Sequence, residues 1–357
     1  MTADLSPYTA VLVASYGGPN EPDDVLPFMR NATAGRGIPD ERLLEVSEHY
    51  MMFGGRSPIN ELNARLLDYI RAEMARRGLN VPVVIGNRNW HPFHEETVGK
   101  LAADGHRRVL GLATSAYGSY SGCRQYREDM QAAERGTDGV VSIDKIPPFS
   151  DRDAFVNANA RSLVTAVREL RNRIGDAALR VLFVTHSIPI TMNATSGIVR
   201  GTYEQQHLRV AARVAELASR ELGEELTWEL TYCSRSGPPH VPWLEPDIND
   251  RMTQLQGEVA GVVAAPIGFL NDHMEVLYDL DTEARATAEE LGLPYERAAT
   301  VNDDPEFHAM LVDLLLERAA AARGELDHAT TAAQTCPADC CKAPQRPARR
   351  STEGSPA

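Results

Sequence analysis

Short apolar runs alternate along the chain with longer segments in which apolar side chains recur every three or four positions. The short runs predict buried strands and the longer segments predict helices that cover a sheet. Strands are predicted at 10–15, 81–86, 107–113, 140–146, 180–185, 226–232 and 259–266, and the main helices at 23–30, 40–52, 151–174, 201–221 and 304–323. This alternation predicts an α/β protein with two doubly wound, Rossmann-like parallel-sheet domains, 1–148 and 149–323, and a cleft between them.

An acidic segment at 268–283 follows the last predicted strand. Glu275, Asp279 and Glu283 are spaced i, i+4 and i+8, which places them on one face of a helix that begins near His273. Such a row is about 12 Å long. A solvated surface helix also tolerates a row of this kind. Its position at a strand end, where α/β proteins bind their ligands, favours a path for a divalent cation.

A histidine stands at the carboxyl end of another predicted strand. His186 follows the apolar run 180–185 and precedes the loop Ser187-Ile188-Pro189. An imidazole can accept a proton or bind a metal at neutral pH. His186 and the acidic segment each follow a strand end, where α/β proteins bind ligands, and we therefore expect His186 and Glu275 to lie together. An imidazole beside a carboxylate can bind a divalent metal ion.

The composition limits the partners and the compartment. The net charge of −14 argues against nucleic acid as a partner. No apolar run approaches the roughly 20 residues of a membrane span, and the first residues lack the basic region of a secretory signal. We therefore expect a cytoplasmic protein without a transmembrane segment. From residue 324 to 357 the sequence is rich in Ala, Thr, Pro, Arg and Ser, which predicts a flexible tail.

Three motifs make the chain resemble a known family. They are the segment Thr185-His186-Ser187-Ile188-Pro189, the segment from Gly268 to Asp281, and Ser234-Arg235-Ser236-Gly237-Pro238 together with the block from Pro242 to Asp247. In these motifs the chain resembles ferrochelatases, the lyases that insert ferrous iron into a porphyrin during heme biosynthesis. The resemblance implies a chelatase-like fold in which His186 and Glu275 are the catalytic, iron-binding pair. Asp279 and Glu283 then form the outer part of the iron path.

The resemblance also implies positions that contact the porphyrin. They are Ser57, Tyr126, Tyr16 and Tyr117. Ser57 precedes Pro58 and equally suits the start of the next helix, and Tyr16 also suits a buried aromatic position. Many relatives carry basic residues where this chain has Met51 and Met52.

The chain is most similar to the actinobacterial branch, which implies coproporphyrin III as substrate, Fe-coproporphyrin III (coproheme) as product and transient contact with neighbouring enzymes of the heme pathway.

Five cysteines are present, and three of them are close together in the tail. Because some members of this family carry a [2Fe-2S] cluster with one internal and three C-terminal ligands, the resemblance implies such a cluster on Cys123, Cys336, Cys340 and Cys341. Cys233 is the less favoured internal ligand. Thirteen residues from Arg323 to Cys336 span about 43–47 Å when extended, so the tail reaches the body of the protein. A structural zinc on the same thiolates is the main competing interpretation.

Other functions remain open from the sequence. A ferrochelatase acting on protoporphyrin IX carries the same iron site. A cobalt or nickel chelatase of tetrapyrrole metabolism shares the fold and a histidine-based site, although the acidic row favours iron. A tetrapyrrole carrier without enzymatic activity has the same cleft but needs no acidic path.

Overall fold

Each half of the chain forms one parallel sheet of the same topology. The computed structural model describes residues 4–35, 37–198, 201–237, 240–326 and 336–343. The first sheet contains β1 Ala10–Ser15, β2 Val83–Asn87, β3 Arg108–Ala113 and β4 Ser142–Lys145, in the order β2-β1-β3-β4. The second contains β5 Leu179–His186, β6 Trp228–Cys233, β7 Gly261–Ala265 and β8 Tyr295–Arg297, in the order β6-β5-β7-β8. The predicted fold class is confirmed.

The strand order fixes where a ligand site can form. In the first sheet the order reverses between β1 and β3, and in the second it reverses between β5 and β7. In open α/β sheets a crevice forms at such a switch point, at the carboxyl ends of the strands. Residues that follow β1, β3, β5 and β7 are therefore the ones placed for binding.

Helices cover both faces of the sheets. They are α1 Pro22–Ala32, α2 Asp40–Met51, α3 Ile59–Arg76, α4 His94–Ala103, α5 Gln125–Arg135, α6 Asp153–Ile174, α7 Ile190–Ala194, α8 Tyr203–Leu222, α9 Ile248–Leu255, α10 Met274–Tyr278, α11 Ala284–Glu290 and α12 Pro305–Ala322. Because both faces are covered, every residue of β1 and of β7 is buried. No helix among the described residues is long and apolar enough to cross a membrane.

Local sequence signals explain where a helix such as α8 begins and ends. The hydroxyl of Thr202 accepts a hydrogen bond from the Gln205 amide, and the Gln205 side chain accepts one from the Thr202 amide at 3.0 Å. This reciprocal pair satisfies free amides at the start of the helix. Gly223, with a φ of 72°, ends it in the left-handed conformation that glycine adopts without strain.

The carboxyl ends of the two sheets face each other. The buried side-chain amide of Asn271, after β7, donates to Asn63 at 3.0 Å, and Asn63 donates to Ser15 at the end of β1 at 2.8 Å. The Tyr117 hydroxyl, after β3, donates to the carbonyl of Ile267, again after β7. These buried hydrogen bonds hold the two switch points against each other.

One large apolar core includes side chains from both halves, such as Val13 of β1 and Phe183 of β5. The last helix, α12, packs against α3 of the first half and α6 of the second. Burial of Phe307, from the first turn of α12, against Phe149 and Phe155 contributes to this joint core. The two sheets are therefore distinct, while the packing between the halves is continuous.

Two predicted segments differ in detail from the structure. The acidic segment is not a uniform α-helix, because α10 is followed by a π-helical turn, Asp279–Glu283, before α11 begins. The tail was expected to be flexible throughout, yet residues 336–343 lie against the body of the protein. Hydrogen bonds from Arg124, Arg127 and Thr195, which are distant in the sequence, account for that docking, and the composition of the tail does not indicate them.

Candidate active site and cysteine cavity

His186 is the last residue of β5 and is held in one tautomer. Its Nδ1 lies 2.5 Å from the carbonyl oxygen of Ser187, so Nδ1 carries the proton and donates it. The Ser187 hydroxyl in turn donates to the Leu244 carbonyl at 2.7 Å, which fixes the loop. With Nδ1 donating, the lone pair of Nε2 is the one available as a base or a metal ligand.

The structure brings Glu275 to this lone pair. His186 Nε2 lies 3.9 Å from Oε1 of Glu275, in the first turn of α10. The two side chains are 32% and 51% exposed, so the pair is open to solvent. Among the described residues, no group of three or more His, Cys, Asp and Glu side chains is arranged to hold a metal ion.

The acidic row continues from Glu275 through the π-helical turn. The Ser234 hydroxyl donates to the carboxylate of Asp279. Burial raises the pKa of Asp279 to about 7, even though this hydrogen bond opposes the rise. Glu283 is exposed at the far end of the turn. The three acids therefore form a row that begins at Glu275 beside the imidazole of His186, continues through the half-buried Asp279 and ends at the exposed Glu283.

His273 stands immediately before α10 at the head of this row. Burial lowers its pKa, and its ring packs edge-on against Phe269 at 5.2 Å between centroids. His273 heads the acidic row, as the sequence indicated. It lies close enough to His186 and Glu275 for both to affect its pKa.

A buried hydrogen-bond network holds the end of β5, on which His186 stands. The Thr185 hydroxyl lies 2.9 Å from His207 Nε2 and 2.6 Å from the Tyr203 hydroxyl, which also donates to the His186 carbonyl. His207 Nδ1 donates to the Tyr203 carbonyl, and burial lowers the pKa of His207 to about 3. The neutral ring is therefore part of a fixed hydrogen-bond network that holds the end of β5.

The four residues expected to contact the porphyrin have different surroundings. Tyr16 is 39% exposed beyond β1, and Ser57 is buried against Gly18. Tyr126 is only 5% exposed and lies under the guanidinium of Arg88, 4.3 Å from its ring centroid. Tyr117 is 2% exposed and stacks on His207 at 3.6 Å. The structure leaves Tyr16 exposed, with its ring edge-on to Phe28, and places Tyr117 in the core, where its hydroxyl donates to the Ile267 carbonyl.

Sequence reasoning missed residues that reach the site from the first half. His49, near the end of α2, stacks on Tyr278 of α10 with centroids 4.0 Å apart. The next residue, Tyr50, lies near enough to Glu275 for the carboxylate to raise its pKa, after the larger effect of burial. Arg88, at the end of β2, forms a half-buried ion pair with Asp129 at 2.6 Å. The pattern of α2 gave no signal for these contacts, which depend on how the halves meet.

Four cysteines line a second cavity, of about 280 Å³, away from His186 and Glu275. They are Cys123, Cys336, Cys340 and Cys341. Cys123 lies in a π-helical turn, Tyr120–Arg124, and its thiol interacts directly with that of Cys336. The sulfurs of Cys340 and Cys341 are 3.6 Å apart. Cys233, the other candidate internal ligand, is buried outside the lining of this cavity.

Donors from both halves hold the tail beside this cavity. The Arg124 guanidinium donates to the carbonyls of Ala338 and Cys340. Arg127 donates to the carbonyls of residues 336–338 at 3.3–3.4 Å. From the second half, the Thr195 hydroxyl donates to the Lys342 carbonyl at 3.1 Å. The described part of the tail therefore contacts both halves of the protein.

Two doubly wound sheets with an imidazole–carboxylate pair at a switch point are typical of an enzyme that handles a divalent metal ion. The Ferrochelatase family model matches residues 8–319, and the chain belongs to this family. It is 49% identical to the coproporphyrin III ferrochelatase of Streptomyces coelicolor over 356 residues, which covers 95% of each chain. It is 44% identical to that of Mycolicibacterium smegmatis over 313 residues, covering 87% of this chain and 89% of the relative. The solved structure of SirB from Bacillus subtilis with Fe³⁺ superposes with a TM-score of 0.48 and 14% identity, covering 89% and 98% of the two chains.

Proposed function

We propose that this protein inserts ferrous iron into coproporphyrin III to give coproheme in heme biosynthesis. The observation that carries the proposal is the approach of His186 Nε2 to the Glu275 carboxylate at 3.9 Å, at the switch point of the second sheet. Family membership supports the reaction class, and the printed names of the relatives support the choice of porphyrin. A carrier without activity would have no use for the acidic row that leads to this pair.

The residues at the site have separate tasks in this reaction. Nε2 of His186 is available to accept a pyrrole proton or to bind the incoming iron. Glu275 supplies a hard oxygen ligand on the same side. Asp279 and Glu283 carry iron inward from solvent, and the carboxyl of Asp279 can release or take up a proton near neutral pH. Selectivity for Fe²⁺ then depends on geometry and on metal supply.

The porphyrin lies between the two switch points in this proposal. Tyr16 contacts it from the exposed side, and Ser57 and Tyr126 contact its edge once their surroundings adjust to the substrate. Tyr117 acts through the core by holding the loop after β3 against the carbonyl of Ile267. The division into domains at residues 148 and 149, a cytoplasmic location and transient contact with neighbouring enzymes of the heme pathway belong to the same proposal.

A metalation assay tests the function directly. Purified protein is mixed anaerobically with Fe²⁺ and either coproporphyrin III or protoporphyrin IX, and the loss of free-porphyrin absorbance is followed. Parallel reactions contain Co²⁺ or Ni²⁺ with the same porphyrins. We expect the highest rate with Fe²⁺ and coproporphyrin III. A preference for protoporphyrin IX would refute the substrate, and binding without turnover would refute the enzyme.

We also propose that the four cysteines of the second cavity hold a [2Fe-2S] cluster. Four thiolates are the usual ligand set of this cluster. The four thiols do not form a metal-holding group as they stand in the structure, so the proposal requires the sulfurs to move onto the cluster. The cavity beside them, of about 280 Å³, leaves room for it, since a water molecule occupies roughly 30 Å³ of liquid. The sulfurs of Cys340 and Cys341 are 3.6 Å apart, and Cys336 lies close to Cys123, so all four thiols are near one another. Iron and sulfide analysis distinguishes the cluster from a structural zinc on the same thiolates. When bound, the group supplies one-electron chemistry and links the tail to the body.

A further inference from the structure

A lysine contacts the cysteine that the body of the protein contributes to the second cavity. Lys145, the last residue of β4, places its Nζ 3.4 Å from the sulfur of Cys123 and 3.0 Å from the carbonyl oxygen of Ile146. Lysine is rare in this chain, where 36 basic residues include only Lys100, Lys145 and Lys342. The ammonium is one of three cationic groups that line this cavity, with the guanidinium groups of Arg124 and Arg127.

Two carboxylates that line the cavity have other partners, so the ammonium of Lys145 contacts a sulfur rather than an acid. Asp144 and Glu134 also line the cavity. Asp144 is paired with Arg318 and accepts a hydrogen bond from Tyr8, while Glu134 accepts from the backbone amide of Ile143. Within the part of the chain that the structure describes, Lys145 forms no ion pair with a carboxylate. Its charge is free to act on the thiolate of Cys123.

A second donor reaches the cavity from the other half. The amide of Gly197 donates to the sulfur of Cys341 at 3.3 Å. Gly197 has a φ of 62°, and a Cβ there would lie 1.7 Å from the Gly201 carbonyl oxygen, so only glycine fits. Two of the four sulfurs, those of Cys123 and Cys341, thus receive N–H donors, one from each half. Lys145 is the charged donor that contacts a sulfur, while Arg124 and Arg127 also line the cavity and donate to backbone carbonyls of the tail.

We infer that Lys145 sets the reduction potential of the proposed [2Fe-2S] cluster by donating a charged hydrogen bond to the sulfur of Cys123. The inference rests on the proposed cluster. One-electron reduction converts one ferric iron to ferrous iron and adds a negative charge to the cluster and its thiolates. A cation in contact with a ligand sulfur stabilises the reduced form more than the oxidised form. Lys145 therefore raises the potential.

The test is a dithionite titration of the full-length, anaerobically purified protein. The midpoint potential is read from the visible charge-transfer bands and from the paramagnetic signal of the reduced cluster. Lys145→Met, which removes donor and charge but keeps the aliphatic stem, should shift the midpoint to a more negative value. Lys145→Arg should stay close to the wild type. The matched control, Lys100→Met, changes an exposed lysine of α4 and should have no effect.

The outcomes separate this inference from the cluster itself. A wild-type protein without iron and sulfide refutes the cluster. A Lys145→Met protein with full iron and sulfide and an unchanged midpoint overturns the role of Lys145 and leaves the cluster intact. If Lys145→Met loads no iron, Lys145→Gln, which keeps a donor without the charge, replaces it. Equal potentials for the Gln and Arg variants would overturn the inference.

Discussion

Nε2 of His186 faces Oε1 of Glu275 across 3.9 Å, although 88 positions separate the two residues in the sequence. Their parent strands explain the approach. β5 ends at His186, β7 pairs with β5, and the segment after β7 leads directly into α10, which carries Glu275. Neighbouring parallel strands end at the same edge of a sheet, so the ends of β5 and β7 place both groups at one point. The fixed Nδ1–H of His186 then directs a basic nitrogen towards the carboxylate.

Substitution of His186 by Ala should abolish most metalation without unfolding the protein. Loss of a positioned proton acceptor costs about 10²–10⁴-fold in rate, and His186 also serves as a candidate iron ligand. Glu275→Gln keeps the shape of the side chain and should reduce turnover to a similar degree. Steady-state rates at saturating coproporphyrin III and Fe²⁺, with circular dichroism to check folding, measure the effect.

Glu283→Gln is the matched comparison for these variants. Glu283 is exposed at the outer end of the row, so the change should mainly raise the Fe²⁺ concentration needed for half-maximal rate. Equal losses of turnover at Glu275 and Glu283 would contradict the distinction between an inner and an outer end. Wild-type turnover by a folded His186→Ala protein would show that the catalytic site lies elsewhere.

Much of the fold was predictable because its signals are local. The apolar run before His186 and the run before Gly268 each predict a buried strand, and a histidine or acid just beyond such a strand is at the edge where ligands bind. For these strands and the groups that follow them, the deciding information lies within a few residues of the functional group. The four cysteines that line one cavity were implied by the family resemblance instead, because no local pattern links Cys123 to a tail more than 200 residues away.

Features that depend on contacts between distant segments were not predictable. Tyr117 lies in an aromatic, hydroxyl-rich loop that resembles a binding wall, but His207, which stacks on it, comes from α8. The π-helical turn at Asp279 breaks a spacing that is ideal for a uniform helix. Residues 336–343 have the composition of a disordered segment and are held by Arg124 and Arg127 of α5 and the turn before it.

Substitution of Asn271 by Ala should destabilise the contact between the halves. The Asn271 side chain donates to Oδ1 of Asn63 in a buried environment, and Asn63 is itself bonded to Ser15. Leaving that acceptor unsatisfied costs about 1–3 kcal/mol of the free energy of unfolding. Urea denaturation measures the change. As a control, Asn157→Ala removes an exposed bond to Glu306 and should cost less than about 0.5 kcal/mol. Similar midpoints for the two variants would contradict the structural role of the buried amides.

Because the ring of His94 is buried, the free energy of unfolding should decrease in mild acid. Burial, assisted by the charge of Arg88, lowers the pKa of His94 from 6.5 to about 4. Above pH 6.5 the ring is neutral in both states. Between pH 6.5 and 4 the unfolded chain binds a proton that the folded protein does not, so the free energy of unfolding decreases. The loss is at most about 3 kcal/mol and levels off below pH 4.

His94→Phe should therefore reduce the loss of stability between pH 6.5 and 4. Nε2 of His94 has no hydrogen-bond partner among the described residues, so the substitution removes an unsatisfied atom. His207 contributes a similar acid dependence that both proteins retain. Denaturation at a series of pH values gives the slope, and His91→Gln, at a 61% exposed side chain, is the control. An unchanged slope in His94→Phe would refute the assignment.

Anaerobically purified protein should be reddish and contain about two iron and two sulfide per chain if the cysteine cavity holds a [2Fe-2S] cluster. Cys123→Ser, or truncation before Cys336, should bleach the protein because each removes ligands from the cavity. Cys233→Ser changes a buried thiol outside that lining and should keep the colour. Visible spectra with iron and sulfide analysis measure these outcomes. Colourless wild-type protein with one zinc per chain would refute the cluster and retain the cysteine assignment.

Loss of the cluster should affect stability before it affects metalation. The tail is anchored to Arg124 in the first half and to Thr195 in the second, so ligands that hold the tail also link the halves. The His186–Glu275 pair uses none of these residues. We therefore expect Cys123→Ser to unfold at a lower urea concentration than Cys233→Ser while its metalation rate at low temperature stays within a few-fold of the wild type. Full loss of turnover in a folded, cluster-free protein would instead assign the cysteine cavity a direct part in the reaction.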